Sequence, residues 1–175
     1  MTSYRYIYDQ FSEIVDLAET ISGITCFYQF GPPSEILDNL RSMTQDPKQV
    51  ERKYPLIALF ADYPERQGIK PGIESDVSLH LIIATLTDKD YTSDQRIAIN
   101  IKPILEPLYD ALMSAIDQSG YYHTRSVETI PRTKTVRFSW GRNGLYDRTG
   151  NVFEEMIDCS EIENLELSVI KFQNC

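Results

Sequence analysis

The stretch from Tyr54 to Ile116 constrains the fold most, because it holds two apolar strand candidates and the amphipathic helix that can cover them. Residues 54–60 form an almost unbroken apolar run of strand length. In the second candidate, residues 77–87, apolar and polar residues alternate at first and both faces become apolar later. From Ile97 to Ile116 the apolar residues recur every three or four positions, as on one buried helical face. These elements predict a core of two strands and one helix.

The boundaries of this helix can also be read from the sequence. Thr92 and Gln95 have the spacing of a capping box, in which both side chains bond to backbone N–H groups of the first turn. Pro103 and Pro107 each lack a backbone donor. We therefore expect a kinked or split helix, whose second part runs from about Pro103 to Gln118.

The segment before residue 54 predicts two helices, one strand and a loop. Apolar spacing predicts a helix from Tyr4 to Ser22, ended by Gly23, and a β-branched and aromatic strand follows at 24–30. Ser34 is expected to cap a short helix through about Met43. Residues 44–53 then form a polar loop that leads into the central strand.

After residue 120 the pattern favours strands. Residues 135–140 alternate, with Val136, Phe138 and Trp140 on one face and Arg137 on the other. Further predictions are turns at 142–145 and 148–151, a short helix or irregular segment at 152–159, and a last strand at 165–172.

Residues 63–76 contain two prolines and two glycines among charged residues, which predicts a long loop and not a strand. Long loops inside compact domains are often functional, so this segment is expected to order against a neighbouring subunit. The whole chain, residues 1–175, is expected to form a single α+β domain. Its sheet should be mainly antiparallel and packed by two or three helices.

The overall composition is that of an ordinary soluble domain, with 42% hydrophobic and 25% charged residues. No apolar run approaches the roughly 20 residues that span a bilayer, and the first residues lack the features of a secretion signal. The three cysteines have no C-x-x-C spacing and are interpreted as free thiols in a reducing compartment.

No sequence motif of a known catalytic type is present, so we expect neither enzymatic activity nor a cofactor or metal site. Residues 88–99 resemble a calcium loop only superficially, because Ser93 and Ile99 stand where glycine and a bidentate glutamate are needed. His80 and His123 are the candidates for acid–base chemistry, although a structural role is favoured for each.

The formal net charge of −9 opposes general adhesion to nucleic acid or to anionic membranes. This charge is unevenly spread, because residues 125–148 hold six basic and two acidic residues whereas residues 154–166 hold six acids and no base. Two interpretations remain open, namely two solvated surfaces or complementary patches that meet between neighbouring subunits. The candidate interface residues are Arg125, Arg132, Lys134, Arg137, Arg142, Arg148, Glu154, Glu155, Asp158, Glu161 and Glu163.

Eleven tyrosines fall mostly at helix starts, strand ends and loops, where tyrosine offers a large contact area at low entropic cost. Together with the split charge, this distribution favours an assembly protein.

Several segments resemble proteins from tailed phages and prophages of Bacteroides-type bacteria. The resemblance is carried by residues 53–60, 83–87, 91–96 and 102–105, and by residues 140–142, 150–153 and 158–165. In size and α+β character such proteins are similar to head-to-tail connector and tail-completion proteins of the phage neck. The resemblance implies no catalytic residues.

The resemblance implies a structural virion protein that is made in the host cytoplasm and forms a homo-oligomeric ring of about six or twelve copies. Its partners would be neighbouring portal, connector or tail proteins, with DNA passing through the channel without sequence-specific binding and no membrane involved. An acidic chain suits such a channel, because a strongly basic wall would retain the DNA. The rival hypothesis is a small cytoplasmic enzyme or ligand-binding domain that uses His80 or His123 with nearby acids.

Overall fold

The computed structural model describes residues 6–68, 72–139 and 155–170, and it shows the predicted single α+β domain. The α-helices are α1 (Ile7–Ser22), α2 (Pro33–Gln45), α3 (Ser93–Arg96) and α4 (Glu106–Gln118). A π-helix, Ile97–Leu105, joins α3 to α4, and single 3₁₀ turns lie at Val50–Arg52 and Val127–Thr129. The strands are β1 (Phe27–Gly31), β2 (Leu56–Phe60), β3 (Glu65–Gln67), β4 (Ile73–Leu86), β5 (Thr133–Arg137) and β6 (Ile157–Ile170).

The six strands form one sheet in the order β1-β2-β4-β6-β5, and β3 pairs with β4 beside β2. Among the strands of the described residues, only the β1–β2 pair is parallel. The two longest strands, β4 and β6, are antiparallel neighbours from the Ile73–Ile170 pair to the Leu86–Ile157 pair. The predicted strands at 54–60 and 77–87 are therefore confirmed as the centre of the sheet.

The two faces of the sheet carry separate hydrophobic clusters. Helices α1 and α4 cover the first face, where residues such as Leu81 and Ile162 pack against Leu108 and Leu112. Helix α2 covers part of the second face through its buried residues Ile36, Leu37 and Leu40, which pack against apolar residues of β2, β4 and β6. The half of the second face beyond α2 carries polar side chains.

The predicted loop at 63–76 is wrong in its structural type. β3 pairs with the first part of β4, with Glu65 opposite Val77 and Gln67 opposite Ser75, so the segment is a β-hairpin. Gly68 directly follows β3 and Gly72 directly precedes β4, and both have positive φ. Pro64 lies just before β3, so the prolines and glycines of the sequence pattern did not distinguish two paired strands from an irregular loop.

The long helical region is interrupted as predicted, but the interruption takes a different form. Pro103 lies inside the π-helix, whose wider turns accommodate a residue without a backbone N–H group. The second α-helical part begins at Glu106 and places Pro107 in its first turn. The capping box of Thr92 and Gln95 is confirmed in both of its hydrogen bonds.

Three other boundaries differ from the prediction. Pro32 occupies the N-cap of α2, and Ser34 lies inside the helix because Pro33 already has the backbone angle of a first helical residue. β6 begins at Ile157, so the irregular segment predicted at 152–159 is wrong over its last residues. Gly23 ends α1 in the left-handed conformation, as expected.

Val136 and Phe138 are each 42% exposed, so the apolar side of the alternating pattern at 135–140 does not face the core. Trp140 and the turns predicted at 142–145 and 148–151 lie outside the described residues. Within the described ranges, no helix has the length and apolar character needed to cross a membrane.

Replacing Leu112 by alanine should lower the free energy of unfolding by about 2–5 kcal/mol, because its fully buried side chain would leave a cavity. Thermal or urea unfolding measures the change. Leu86→Ala is the matched control, since Leu86 is 47% exposed and its loss should change stability by less than about 0.5 kcal/mol. Equal stability of Leu112→Ala and the wild-type protein would contradict the position of α4 in the core.

Candidate functional site

A cluster of ionisable side chains lies on the polar half of the second sheet face. His80 comes from β4, Glu161 and Glu163 come from β6, and Arg137 comes from β5. Side chains alternate along a strand, so every second residue of β6 from Cys159 to Glu163 belongs to this face. The pairing between β4 and β6 shifts register between Leu79 and Leu81, next to His80. This irregularity places the imidazole beside both glutamates.

Glu161 is the centre of the cluster. Its side chain is only 6% exposed, and its two oxygens have different partners. Oε1 lies 3.0 Å from Nε2 of His80, and Oε2 accepts a hydrogen bond from Nε of Arg137. The Phe60 ring packs edge-on against the His80 ring, with 4.6 Å between the ring centroids. The buried carboxylate is therefore oriented from two sides.

Glu163 lies next to this pair. One carboxylate oxygen of Glu163, one of Glu161 and one ring nitrogen of His80 all lie within 4.8 Å of one another. Within the described part of the chain, Glu163 makes no hydrogen bond or ion pair with another side chain. The hydrogen bond to Glu161 raises the pKa of Arg137, which keeps the guanidinium charged beside the carboxylates.

Asp158 belongs to a different cluster, on the first face. Its fully buried carboxylate accepts hydrogen bonds from Nη1 of Arg96 at 2.9 Å and from Nδ2 of Asn100 at 2.8 Å. The backbone N–H of Ser139 donates to the same carboxylate at 3.1 Å. Arg96 also donates to Thr87 and to backbone carbonyls of the loop before α3. This network attaches the loop, the helix start and the end of β5 to the sheet.

Glu155 belongs to a third cluster. Its carboxylate accepts hydrogen bonds from Nζ of Lys53 and from the Tyr54 hydroxyl, and the Thr44 hydroxyl also donates to it. Lys53 is 1% exposed, so this buried ammonium depends on Glu155 and Thr44 for its polar contacts. The cluster joins the end of α2, the start of β2 and the segment before β6.

The structure thus distributes the predicted interface residues differently from the sequence interpretation. Glu155, Asp158 and Glu161 form ion pairs within the chain. Asp158 and Glu161 are also buried, so their role is internal and not the predicted contact between subunits. Arg142, Arg148 and Glu154 lie outside the described residues.

The basic residues remain nearer to the surface. Arg125 is exposed, and Lys134 forms an ion pair with Glu106 at 2.6 Å. Arg132 donates hydrogen bonds to the Tyr109 hydroxyl and to two backbone carbonyls. Lys134 and Arg132 therefore attach β5 and the segment before it to α4.

The two histidines belong to different sites. His123 is exposed and lines a groove of about 1000 Å³ at the hairpin end of the sheet, together with Arg66, Asp76, Ser168 and Glu166. His80 belongs to the cluster of Glu161 and Glu163. The sequence identified His80 as a candidate but missed its two partners, because the pairing of β4 with β6 joins positions about 80 residues apart.

No protein-family profile matches the sequence, and neither does any curated protein. The site is therefore interpreted from its own geometry.

Replacing Asp158 by alanine should destabilise the fold by about 3–5 kcal/mol, because the buried guanidinium of Arg96 would lose its counter-charge. Chemical denaturation measures the loss. Asp90→Ala is the control, since Asp90 is exposed and should change stability by less than about 0.5 kcal/mol. A similar effect of the two substitutions would show that Arg96 and Asp158 are not buried together.

Cys26 and Cys159 should react slowly with iodoacetamide in the native protein. Burial, with the nearby Glu19 carboxylate, raises the pKa of Cys26 to about 12, and burial raises the pKa of Cys159 as well. At pH 8 the thiolate fraction of Cys26 is then on the order of 10⁻⁴. Peptide mass spectrometry after timed alkylation should show much faster labelling in denaturant. Fast native labelling of Cys26 would contradict the burial of its thiol beside Glu19.

Proposed function

We propose that this chain is a structural subunit of a tailed-phage virion, which forms a ring in the head-to-tail connector or at the top of the tail. The proposal rests first on the resemblance of residues 53–60, 83–87, 91–96 and 102–105 to phage and prophage proteins. The structural observation that supports ring formation is a single sheet with two different edges, β1 and β5, at its opposite ends.

The β1 edge is aromatic and acidic. Tyr6, Tyr8 and Phe30 stack in a row with centroid distances of 5.3 Å and 5.2 Å, and Tyr6 is 61% exposed. Helix α1, which packs beside this edge, contains four acids and no basic residue over Ile7–Ser22. Among the described residues, no strand pairs with the outer side of β1. Such an edge can accept a strand or a side-chain surface from another chain.

The β5 edge is basic and apolar. Lys134 and Arg137 lie on opposite faces of β5, and Val136 and Phe138 expose apolar surface beside them. Within the described ranges, β5 has β6 as its one strand partner. The β1 edge is therefore acidic and the β5 edge basic, although Lys134 and Arg137 are also ion-paired within the chain with Glu106 and Glu161, and both edges offer apolar groups.

A contact between the β1 edge of one copy and the β5 edge of the next is heterologous, and heterologous contacts close into rings when the rotation between copies permits. The complementary charges would orient the subunits, whereas the aromatic and apolar groups would supply most of the binding free energy. The proposed pairing therefore joins the basic stretch of one subunit to α1 of its neighbour, not to residues 154–166.

The double substitution Val136→Glu and Phe138→Glu should abolish ring formation and leave the monomer folded, because it adds charge to an exposed apolar edge. Native mass spectrometry and negative-stain microscopy measure assembly, and a melting curve checks the fold. Ile99→Glu is the matched control, since Ile99 is 44% exposed but lies in the π-helix and in neither edge strand. Rings that persist in the double variant, or dissociate equally in the control, would contradict this interface.

The virion assignment has a separate test. Particles of a phage that carries this gene should contain the protein in several copies, located by antibody labelling at the neck or tail top. Its absence from purified particles would overturn the assignment, whatever the oligomeric state of the isolated chain.

A further inference from the structure

We propose that His80, Glu161 and Glu163 form a binding site for a divalent transition-metal ion such as Zn²⁺. One imidazole nitrogen and two carboxylate oxygens from neighbouring strands already lie within 4.8 Å of one another. An ion held at about 2.0–2.2 Å from each donor needs donor atoms roughly 3–4 Å apart. Nε2 of His80 and Oε1 of Glu161 are 3.0 Å apart, so rotation of the Glu163 side chain can complete the set.

One oxygen of Glu161 can bind an ion, and the other accepts a hydrogen bond that orients the carboxylate. Oε1 faces His80 and is available to an ion, whereas Oε2 is held by Arg137. A carboxylate that binds a metal through one oxygen is commonly oriented by a hydrogen bond to the other. The guanidinium of Arg137 can therefore remain in place when the ion binds, and the His80–Glu161 hydrogen bond is exchanged for two bonds to the ion.

The charge of the cluster also favours a cation. Arg137 forms an ion pair with Glu161 and also interacts electrostatically with Glu163, so one guanidinium faces two carboxylates. Glu163 is partly buried, so its charge is less well solvated than that of a surface carboxylate. A divalent ion bound between Glu163 and His80 would supply the missing positive charge.

The site is open to solvent on one side. The His80 side chain is 38% exposed, whereas Glu161 lies beneath it at 6%. An ion can therefore enter from the polar half of the second face and keep water in its remaining coordination positions. Three protein ligands with open positions are typical of catalytic or exchangeable metal sites, whereas structural zinc sites have four protein ligands. The mixed donor set of imidazole and carboxylate suits Zn²⁺ better than Mg²⁺ or Ca²⁺, which prefer oxygen ligands.

Isothermal titration of tag-free protein with Zn²⁺ tests the proposal, and the number of ions bound per chain does not depend on ring formation. We expect one ion per chain. Replacing even an outer-shell partner costs about 10- to 100-fold in affinity, so His80→Gln and Glu163→Gln should each weaken binding at least about tenfold. His123→Gln and Glu166→Gln are matched controls from the neighbouring groove, and they should leave the affinity unchanged.

Two outcomes would overturn the site, namely no saturable binding by the wild-type protein or equal weakening by the site and control substitutions. Co²⁺ absorption checks the donors, since thiolate charge-transfer bands would assign the ion to a cysteine instead.

A measurement on the unmodified protein does not depend on the folding of variants. With ¹⁵N-labelled histidine, Zn²⁺ should shift Nε2 of His80 and leave His123 unchanged, and the reverse pattern would refute the site.

Discussion

The antiparallel pairing of β4 with β6 is the constraint on which the rest of the structure depends. Both strands are 14 residues long and pair from end to end, and they contribute side chains to both hydrophobic clusters, one on each face of the sheet. Helices α1 and α4 cover one face of the sheet, and α2 covers part of the other face. The half of the second face beyond α2 is left for polar side chains. The position of the candidate site follows from where α2 ends.

The alternation of side chains in β6 explains why the acids of one sequence stretch belong to different clusters. Asp158 and Glu161 are three positions apart along the strand, an odd number, so they project to opposite faces of the sheet. Asp158 meets Arg96 under the helix layer, and Glu161 meets Arg137 and His80 on the polar face. Neither acid is a solvated surface charge. A charge count along the sequence treats both as members of one patch, whereas the strand period separates them.

The sequence predicted the elements whose stability is local and missed those that depend on distant pairing. The Thr92 capping box, the Gly23 terminator and the apolar core strands are set by neighbouring residues, and the structure contains all three. The β3–β4 hairpin has no apolar alternation in β3, because all three of its residues are exposed. The convergence of His80 with Glu161 depends on a register shift between strands that are far apart in sequence. No local pattern encodes that shift.

Arg137 connects the two proposals. It lies on the edge strand β5, where a neighbouring subunit would bind, and it also orients the Glu161 carboxylate at the candidate metal site. Its side chain is 41% exposed, so a subunit that covered β5 would remove water from the guanidinium and strengthen its attraction to Glu161. A stronger Arg137–Glu161 contact would hold Oε1 toward His80, and the free-energy cost of ordering the ligand side chains when the ion binds would be smaller. Assembly and ion binding would then favour each other, and by linkage each would do so by the same factor.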